Sequence, residues 1–273
     1  MSDVEIYDSD ARLAAPLEEL KEIVRYRHLV AAFVRRDLVT RYKRSVLGVL
    51  WTMLNPLGTM LIMTVVFSQL FNATAWYPVY VLSGLITWNF FAQTTLAAPQ
   101  TLLWSGRLIH RVYMPRTVFA FTAVGSGIVN ILLALVPLAV VMAVVGCPFT
   151  PALLMVPVAL VLLAAFALGV GLLLSSAVVY FPDIVDIYQI GLTAWLYLSA
   201  VFYPYETIPE TYRWWFFNLN PMYHLMLLFR DPIYYGNWPT LGHVAAAFTV
   251  AAVALLTGWF VFTRRADEIA YRI

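Results

Sequence analysis

Long, uninterrupted runs of apolar residues dominate the pattern along the chain. No Asp, Glu, Lys or Arg occurs between Ser45 and Gly106 or between Thr117 and Pro182. A membrane-crossing helix needs about 20 mostly apolar residues, so each run is long enough for two helices. Two further apolar runs follow. The pattern predicts an all-α, polytopic membrane protein with six spans, at about 46–71, 80–103, 117–145, 152–180, 187–203 and 240–262.

A basic amphipathic segment precedes the first predicted span. Between residues 17 and 44, apolar side chains recur every three, four or seven positions, and Lys and Arg occupy the opposite face. Such a segment next to a span is expected to lie on the cytoplasmic membrane surface, with a break near Tyr26. We therefore divide the chain into a cytoplasmic tail with an interface helix (1–44) and a transmembrane domain (45–273).

The segment between the fifth and sixth spans, residues 204–236, is rich in Phe, Trp and Tyr but also contains charges and prolines. Its apolar pieces, Ile208–Phe217 and Met222–Phe229, are too short to cross a bilayer, and pieces of about 10–14 residues more often lie in the interface or re-enter. The pattern predicts a re-entrant helical hairpin.

The distribution of cations predicts the orientation. On the side of the two termini lie 15 of the 17 Lys and Arg residues, three of them in the connector Trp104–Arg116. Cytoplasmic loops carry the excess of these residues, so both termini and this connector are predicted to be cytoplasmic and the hairpin to face outward. The hairpin would then form an exit collar whose candidates are Glu206, Glu210, Arg213, Trp214 and Trp215.

The sequence lacks the motifs of several kinds of enzyme and carrier. The sequence has no GxxxxGK[ST] phosphate-binding loop and no HExxH motif, and its single cysteine, Cys147, excludes an internal disulfide. The centres of the predicted spans hold no ionisable residue of the kind that ion-coupled carriers use. We expect a transport subunit without catalytic residues, metal or cofactor, powered from outside the chain. The pair Asp183 and Asp186 either binds a metal or acts in acid–base chemistry, or it complements a helix N-terminus.

Cations near the first span have two interpretations. Arg41, Lys43 and Arg44 either fix the topology only or hold a phosphate or pyrophosphate head group at a cytoplasmic entrance. In the connector, Arg107, Arg111 and Arg116 are likewise either topology anchors or a docking site for a cytoplasmic partner.

Aromatic side chains in and near the spans are candidates for lining a pore, because sugar rings pack their C–H faces on flat aromatic rings. The alternative for each is a core or interfacial position. The candidates are Tyr42, Trp51, Trp88, Phe90, Phe91, Tyr188, Trp195 and Tyr197.

Three segments carry a resemblance to a known family. They are RDLVTRYKRSVLGVLWTMLNP (Arg36–Pro56), LGVGLLLSSAVVYFPDI (Leu168–Ile184) and AVFYPYETIPETYRWWFFNLNPM (Ala200–Met222). With them the chain resembles the permease subunit of type-2 ABC exporters for polysaccharides, the Wzm-like family of O-antigen, capsule and teichoic-acid export. It departs from related sequences at Tyr180–Pro182, where Arg often precedes the Asp.

The resemblance implies a bacterial inner-membrane protein that forms a homodimer and works with a dimer of separate ATPase subunits, which bind ATP and Mg. The implied cargo is a polyprenyl-diphosphate-linked glycan of the O-antigen type, and no nucleic-acid partner is expected. Open alternatives are the same fold with another cargo (teichoic acid, capsule, lipid or drug) and a membrane enzyme acting on a prenyl-linked sugar, which would need a clustered acid, His or metal set.

Overall fold

Every regular element in the described part of the chain is helical. The computed structural model describes residues 15–43, 47–48, 50–67, 76–104 and 114–272. The helices are α1 (Ala15–Arg25), α2 (Arg27–Tyr42), α3 (Leu50–Phe67), α4 (Tyr77–Trp104), α5 (Thr117–Val145), α6 (Val156–Val178), α7 (Ile184–Leu198), α8 (Glu210–Arg213), α9 (Pro221–Arg230) and α10 (Leu241–Arg272). A 3₁₀ turn, Pro151–Met155, leads into α6, and π-helical turns extend α8 to Asn218 and α9 to Tyr235.

Four of the described helices are long and apolar enough to cross a membrane. They are Leu50–Phe67, Thr117–Val145, Pro151–Val178 and Leu241–Arg265. The chain is thus a membrane protein in composition and helix length, and these helices coincide with the first, third, fourth and sixth predicted spans.

The helices at the second and fifth predicted spans differ from these four. α4 has 28 residues but is less apolar, because it carries Asn89, Gln93 and several threonines. α7 has only 15 residues, fewer than the about 20 that a straight span needs. The six-span count therefore stays a prediction.

The helix at the fifth predicted span, 187–203, ends before residue 203. α7 ends at Leu198, and Ala200 takes a left-handed backbone conformation with φ 52°. Side chains of α4 then form hydrogen bonds with the backbone carbonyls that follow. The hydroxyl of Tyr77 donates to Phe202 O at 2.7 Å, and that of Tyr80 donates to Tyr203 O at 2.7 Å. At the other end of the chain, α10 continues beyond the predicted end at 262 as far as Arg272.

The core forms around α4, which packs against α5 and α6, while α6 packs against α10. The contact between α6 and α10 is made backbone to backbone. A Cβ added to Gly169 would overlap the backbone of Ala254, and one added to Gly258 would overlap the backbone of Gly169. Small residues of this kind let membrane helices approach closely.

The amino-terminal helices are separated at Tyr26, where the break was predicted. α1 is strongly amphipathic, whereas apolar and polar residues are less segregated in α2. α2 packs along α5, where the rings of Phe33 and Phe119 stack with their centroids 6.1 Å apart. The carboxylate of Glu19 on α1 accepts hydrogen bonds from the hydroxyl (2.9 Å) and the N–H (3.3 Å) of Thr117, the first residue of α5.

Two short helices occupy the predicted hairpin segment. Asn220 separates them and caps α9, since its Oδ1 accepts from the N–H of Met222 at 3.1 Å. The same oxygen accepts from Trp195 Nε1 at 2.8 Å, and Asn220 Nδ2 donates to Leu198 O at 3.0 Å. One polar side chain therefore ties the hairpin segment to the carboxyl end of α7.

Candidate functional site: an amide-lined cavity between three helices

A cavity of about 250 Å³ lies between α3, α4 and α5. Two of the aromatic pore candidates line it, Trp51 from α3 and Phe90 from α4. Trp51 is exposed, whereas Phe90 is buried against α5, where an added Cβ on Gly127 would meet its ring at 3.0 Å. The structure thus brings two predicted residues from separate helices to one site.

Side-chain amides give this cavity its polarity. They come from α3 (Asn55), from α4 (Asn89 and Gln93) and from α5 (Asn130). Asn89 and Gln93 are four positions apart and therefore lie on one face of α4. No lining residue among those described carries a charge. The site can accept and donate hydrogen bonds without attracting ions.

These amides are functional candidates that were not predicted from the sequence. The polarity of the second predicted span was visible, and the spacing of Asn89 and Gln93 places them together. The contribution of Asn55 and Asn130 was not visible, because it depends on how α3 and α5 pack against α4.

Three other pore candidates lie in an interior aromatic cluster instead. Trp88 and Phe91 are buried, and the Phe91 ring lies 5.2 Å from both Phe166 and Trp195. Trp88 contacts Trp195 at 6.1 Å between ring centroids. Within this chain Trp88 and Phe91 are core residues, which is the alternative that the sequence left open.

The two remaining described pore candidates are on α7. Tyr188 donates its hydroxyl to Thr95 Oγ1 at 2.9 Å, which ties α7 to α4. Tyr197 is 56% exposed. The structure does not describe the side chain of the eighth candidate, Tyr42.

Most of the predicted cytoplasmic site residues lie outside the described side chains. This holds for the side chain of Arg41 and for Arg44, Arg107 and Arg111. Lys43 follows α2 and is exposed, and Arg116 directly precedes α5 and is partly exposed. The head-group and docking assignments of these residues stay predictions.

Glu19 adds a carboxylate next to the connector. Burial raises the pKa of Glu19, and this desolvation outweighs the opposing hydrogen bonds from Thr117. Because Thr117 follows Arg116, the position of α1 is linked directly to the end of the connector.

In the predicted exit collar, Arg213 organises the backbone. It donates from Nε to Ile208 O at 2.7 Å and from Nη2 to Glu206 O at 2.8 Å, and it lies 3.6 Å from the Glu210 carboxylate. Trp214 and Trp215 pack edge to face at 5.0 Å, and both are exposed. Their place at an exit stays a prediction.

The comparison with known families decides the assignment. Residues 28–234 match the ABC-2 type transporter family. The chain belongs to this family. The match begins in α2 and ends within the π-helical turn after α9, so it contains the whole cavity and both short helices of the hairpin segment.

Curated relatives of this ABC-2 chain include exporters from several bacteria. It is 28% identical to the O-antigen export system permease protein RfbA of Myxococcus xanthus, over 93% of this chain and 98% of that protein. It is 27% identical to the polysialic acid transport protein KpsM of Escherichia coli, over 88% and 94% of the two chains. Identity to the capsule polysaccharide export inner-membrane protein CtrC of Neisseria meningitidis is 24%, over 80% and 83%.

The described part of this ABC-2 chain contains no metal-binding cluster of His, Cys, Asp and Glu. No group of three or more His, Cys, Asp and Glu residues there is arranged to hold a metal ion. Asp183 is the residue before α7 and Asp186 lies in its first turn. The pair therefore lies at a helix N-terminus, where carboxylates complement the positive end of the helix dipole.

The buried arginine Arg230 was also not singled out from the sequence. Arg230 on α9 is 2% exposed, and its Nη1 donates to Tyr80 Oη at 2.9 Å and to Ala200 O at 3.0 Å. Its Nη2 donates to Val201 O at 3.3 Å, and its guanidinium carbon lies 3.8 Å from the centroid of the Tyr80 ring. This cation holds the residues that follow α7.

Proposed function

We propose that this chain is the membrane-spanning subunit of an ATP-driven exporter that moves a polysaccharide, carried on polyprenyl diphosphate, from the cytoplasm to the outer side of the bacterial inner membrane. The main support is that the relatives named for O-antigen and for capsule export align with 80% or more of this chain. The absence of a charged lining in the described cavity agrees with a cargo of largely uncharged sugars.

In this proposal the chain crosses the membrane six times. α4 is a polar span that owes its lower hydropathy to the cavity, and α7 crosses with the help of the residues after Leu198, which α4 and α9 hold by hydrogen bonds. The cation distribution supports cytoplasmic termini. α8 and α9 would then re-enter from the outside.

ATP hydrolysis is supplied by a separate pair of nucleotide-binding subunits, which bind the ATP and Mg. The connector 104–116 docks on them through Arg107, Arg111 and Arg116. A second copy of this chain completes the pore. The exposed apolar side chains on α3 and α7, among them Leu61 and Ile190, are available to that copy or to lipid.

The cargo enters from the cytoplasmic side. Arg41, Lys43 and Arg44 hold its diphosphate, because cations pair strongly with phosphate oxygens. Trp51 and Phe90 then offer flat surfaces to its sugar rings. Replacing Arg41 and Lys43 together with Ala is expected to weaken the stimulation of the ATPase by cargo, and unchanged stimulation would favour a topology role.

Deleting the gene for this chain tests the proposal directly. Surface polysaccharide should disappear and lipid-linked glycan should accumulate inside the cell, and both changes should revert when the wild-type chain is supplied. If the surface glycan and the intracellular precursor stay unchanged, the proposed function is wrong.

The capsule relatives favour a second cargo of the same class. KpsM and CtrC are named for polysialic acid and capsule, so a capsular polysaccharide is the alternative to an O-antigen. Chemical analysis of the glycan that the deletion strain retains distinguishes them, because O-antigen is attached to the core of lipopolysaccharide and capsule is not. Teichoic acid, lipid or drug export would leave both glycans unchanged.

A further inference from the structure

We propose that the cavity between α3, α4 and α5 binds one uncharged sugar ring of the cargo, with the amides of Asn55, Asn89 and Gln93 bonding to its hydroxyl groups. The inference rests on the proposed function and deepens it. The amides would contact the glycan itself rather than its lipid carrier. Neither the sequence pattern nor the family resemblance assigned these amides a role.

The amides that line this cavity are available for hydrogen bonds. The side chains of Asn55, Asn89 and Gln93 have no hydrogen-bond partner among the described residues. Asn55 and Gln93 are exposed and Asn89 is half-buried, so their donors and acceptors are open to a ligand. Together these three groups give the cavity a polar binding surface.

Other polar side chains of α4 behave differently. The hydroxyl of Thr87 donates to Ser83 O at 2.8 Å, and that of Thr95 donates to Phe91 O at 2.8 Å. These groups are satisfied by the preceding turn of their own helix. Asn89 and Gln93 make no such bond, and neither does Thr94, whose buried hydroxyl also has no hydrogen-bond partner among the described residues.

The chemistry of the lining selects the ligand. Each amide offers two N–H donors and a carbonyl acceptor, which matches hydroxyl groups that both donate and accept. A phosphate would need a cation, and none is present among the described lining residues. Trp51 and Phe90 supply apolar faces beside the amides, the combination of few polar groups with aromatic walls that is usual in ligand pockets.

The size of the cavity sets how much of the glycan it takes. Its volume of about 250 Å³ is below the about 300–1,000 Å³ of pockets for drug-sized ligands. One ring fits this volume better than a chain of several rings. Such a site would engage successive sugars one at a time.

The test measures how strongly the cargo stimulates ATP hydrolysis. The probe is the lipid-linked glycan extracted from cells that lack this chain, added to the complete transporter in lipid nanodiscs. The variants are Asn55→Leu and Gln93→Met, which keep the side-chain volume and remove the amide. Both side chains are exposed, so folding is retained. Gln100→Met, on the same helix but outside the cavity, is the matched control.

We expect the concentration of glycan for half-maximal stimulation to rise about fivefold in each variant, which is about 1 kcal/mol at about 1.4 kcal/mol per tenfold change. The control should stay within about twofold of the wild type. A conservative Gln93→Asn variant, which retains an amide, should recover part of the loss.

Different outcomes would contradict the sugar site and the proposed function. If the wild-type complex responds to the glycan and both variants respond at the same concentration, the sugar site is wrong and the proposed function stands. If the variants change only the amount of dimer, the amides pair across two copies and the sugar site is again wrong. If the extracted glycan does not stimulate the wild-type complex and deletion leaves the surface glycan unchanged, the proposed function fails.

Discussion

Replacing Arg230 with Met tests how the carboxyl end of α7 is held. Arg230 is 2% exposed, and its two terminal nitrogens donate to the hydroxyl of Tyr80 and to the carbonyls of Ala200 and Val201. Methionine keeps most of the apolar stem and removes all three donors. In this variant Ala200 O can still accept a hydrogen bond from the Tyr80 hydroxyl at 3.3 Å. Val201 O loses its hydrogen bond from Arg230.

The expected cost follows from these contacts. Hydrogen bonds to a charged group contribute about 1.5–3 kcal/mol each. Removing the buried ion also removes its desolvation penalty of several kcal/mol, which offsets part of the loss. We expect a net destabilisation of about 2–4 kcal/mol. At about 2–4 °C per kcal/mol for a chain of this size, the unfolding temperature should fall by about 5–15 °C.

The assay follows the fraction of monodisperse protein that remains after heating in detergent. Arg213→Met is the matched control, because Arg213 also donates to two backbone carbonyls, at 2.7 and 2.8 Å, but its side chain is 30% exposed. Water can replace its bonds, so its loss should cost less than about 1 kcal/mol. Equal shifts in the two variants would refute the claim that burial makes Arg230 important.

Three further predictions concern other contacts. Gly169→Ala should prevent α6 and α10 from meeting and lower the yield of folded protein, whereas Gly191→Ala, where no atom lies within 4 Å of the added Cβ, should not; equal yields would contradict the backbone contact. Because burial raises the pKa of Glu19 above 4.5, the attachment of α1 should weaken as the pH rises through that raised pKa. Hydrogen exchange of α1 should show this, and Glu19→Gln should abolish the dependence. Arg107→Glu with Arg111→Glu should leave insertion intact and uncouple ATP hydrolysis from transport; export at the full rate would rule out docking.

The sequence predicts the helices well where composition alone determines them. The third predicted span, 117–145, coincides with the helix Thr117–Val145, because the charge-free run begins after Arg116 and Gly146 interrupts it. Gly146 adopts φ 74° and closes the helix in a left-handed conformation. Both limits are local features, so they could be read from neighbouring residues.

The end of α7 could not be predicted from neighbouring residues. The residues after Leu198 are apolar and aromatic, so their pattern continues the span. The helix ends where Tyr77, Tyr80 and Arg230 take up the following carbonyls, and these partners lie far away in the sequence. The same limit applies to Phe91, which is aromatic enough for a pore wall but is enclosed by Phe166 and Trp195.

The polarity of α4 connects the fold to the proposed function. Asn89 and Gln93 lower the hydropathy of this helix, and they also furnish the central side of the cavity. A helix that served only as a span would gain stability from apolar residues at these positions, because unpaired amides are costly in an apolar environment. Thr87 and Thr95 satisfy their hydroxyls within α4, so polarity by itself does not require a ligand. The proposed sugar site explains why Asn89 and Gln93 of α4 line the same cavity as Asn55 of α3.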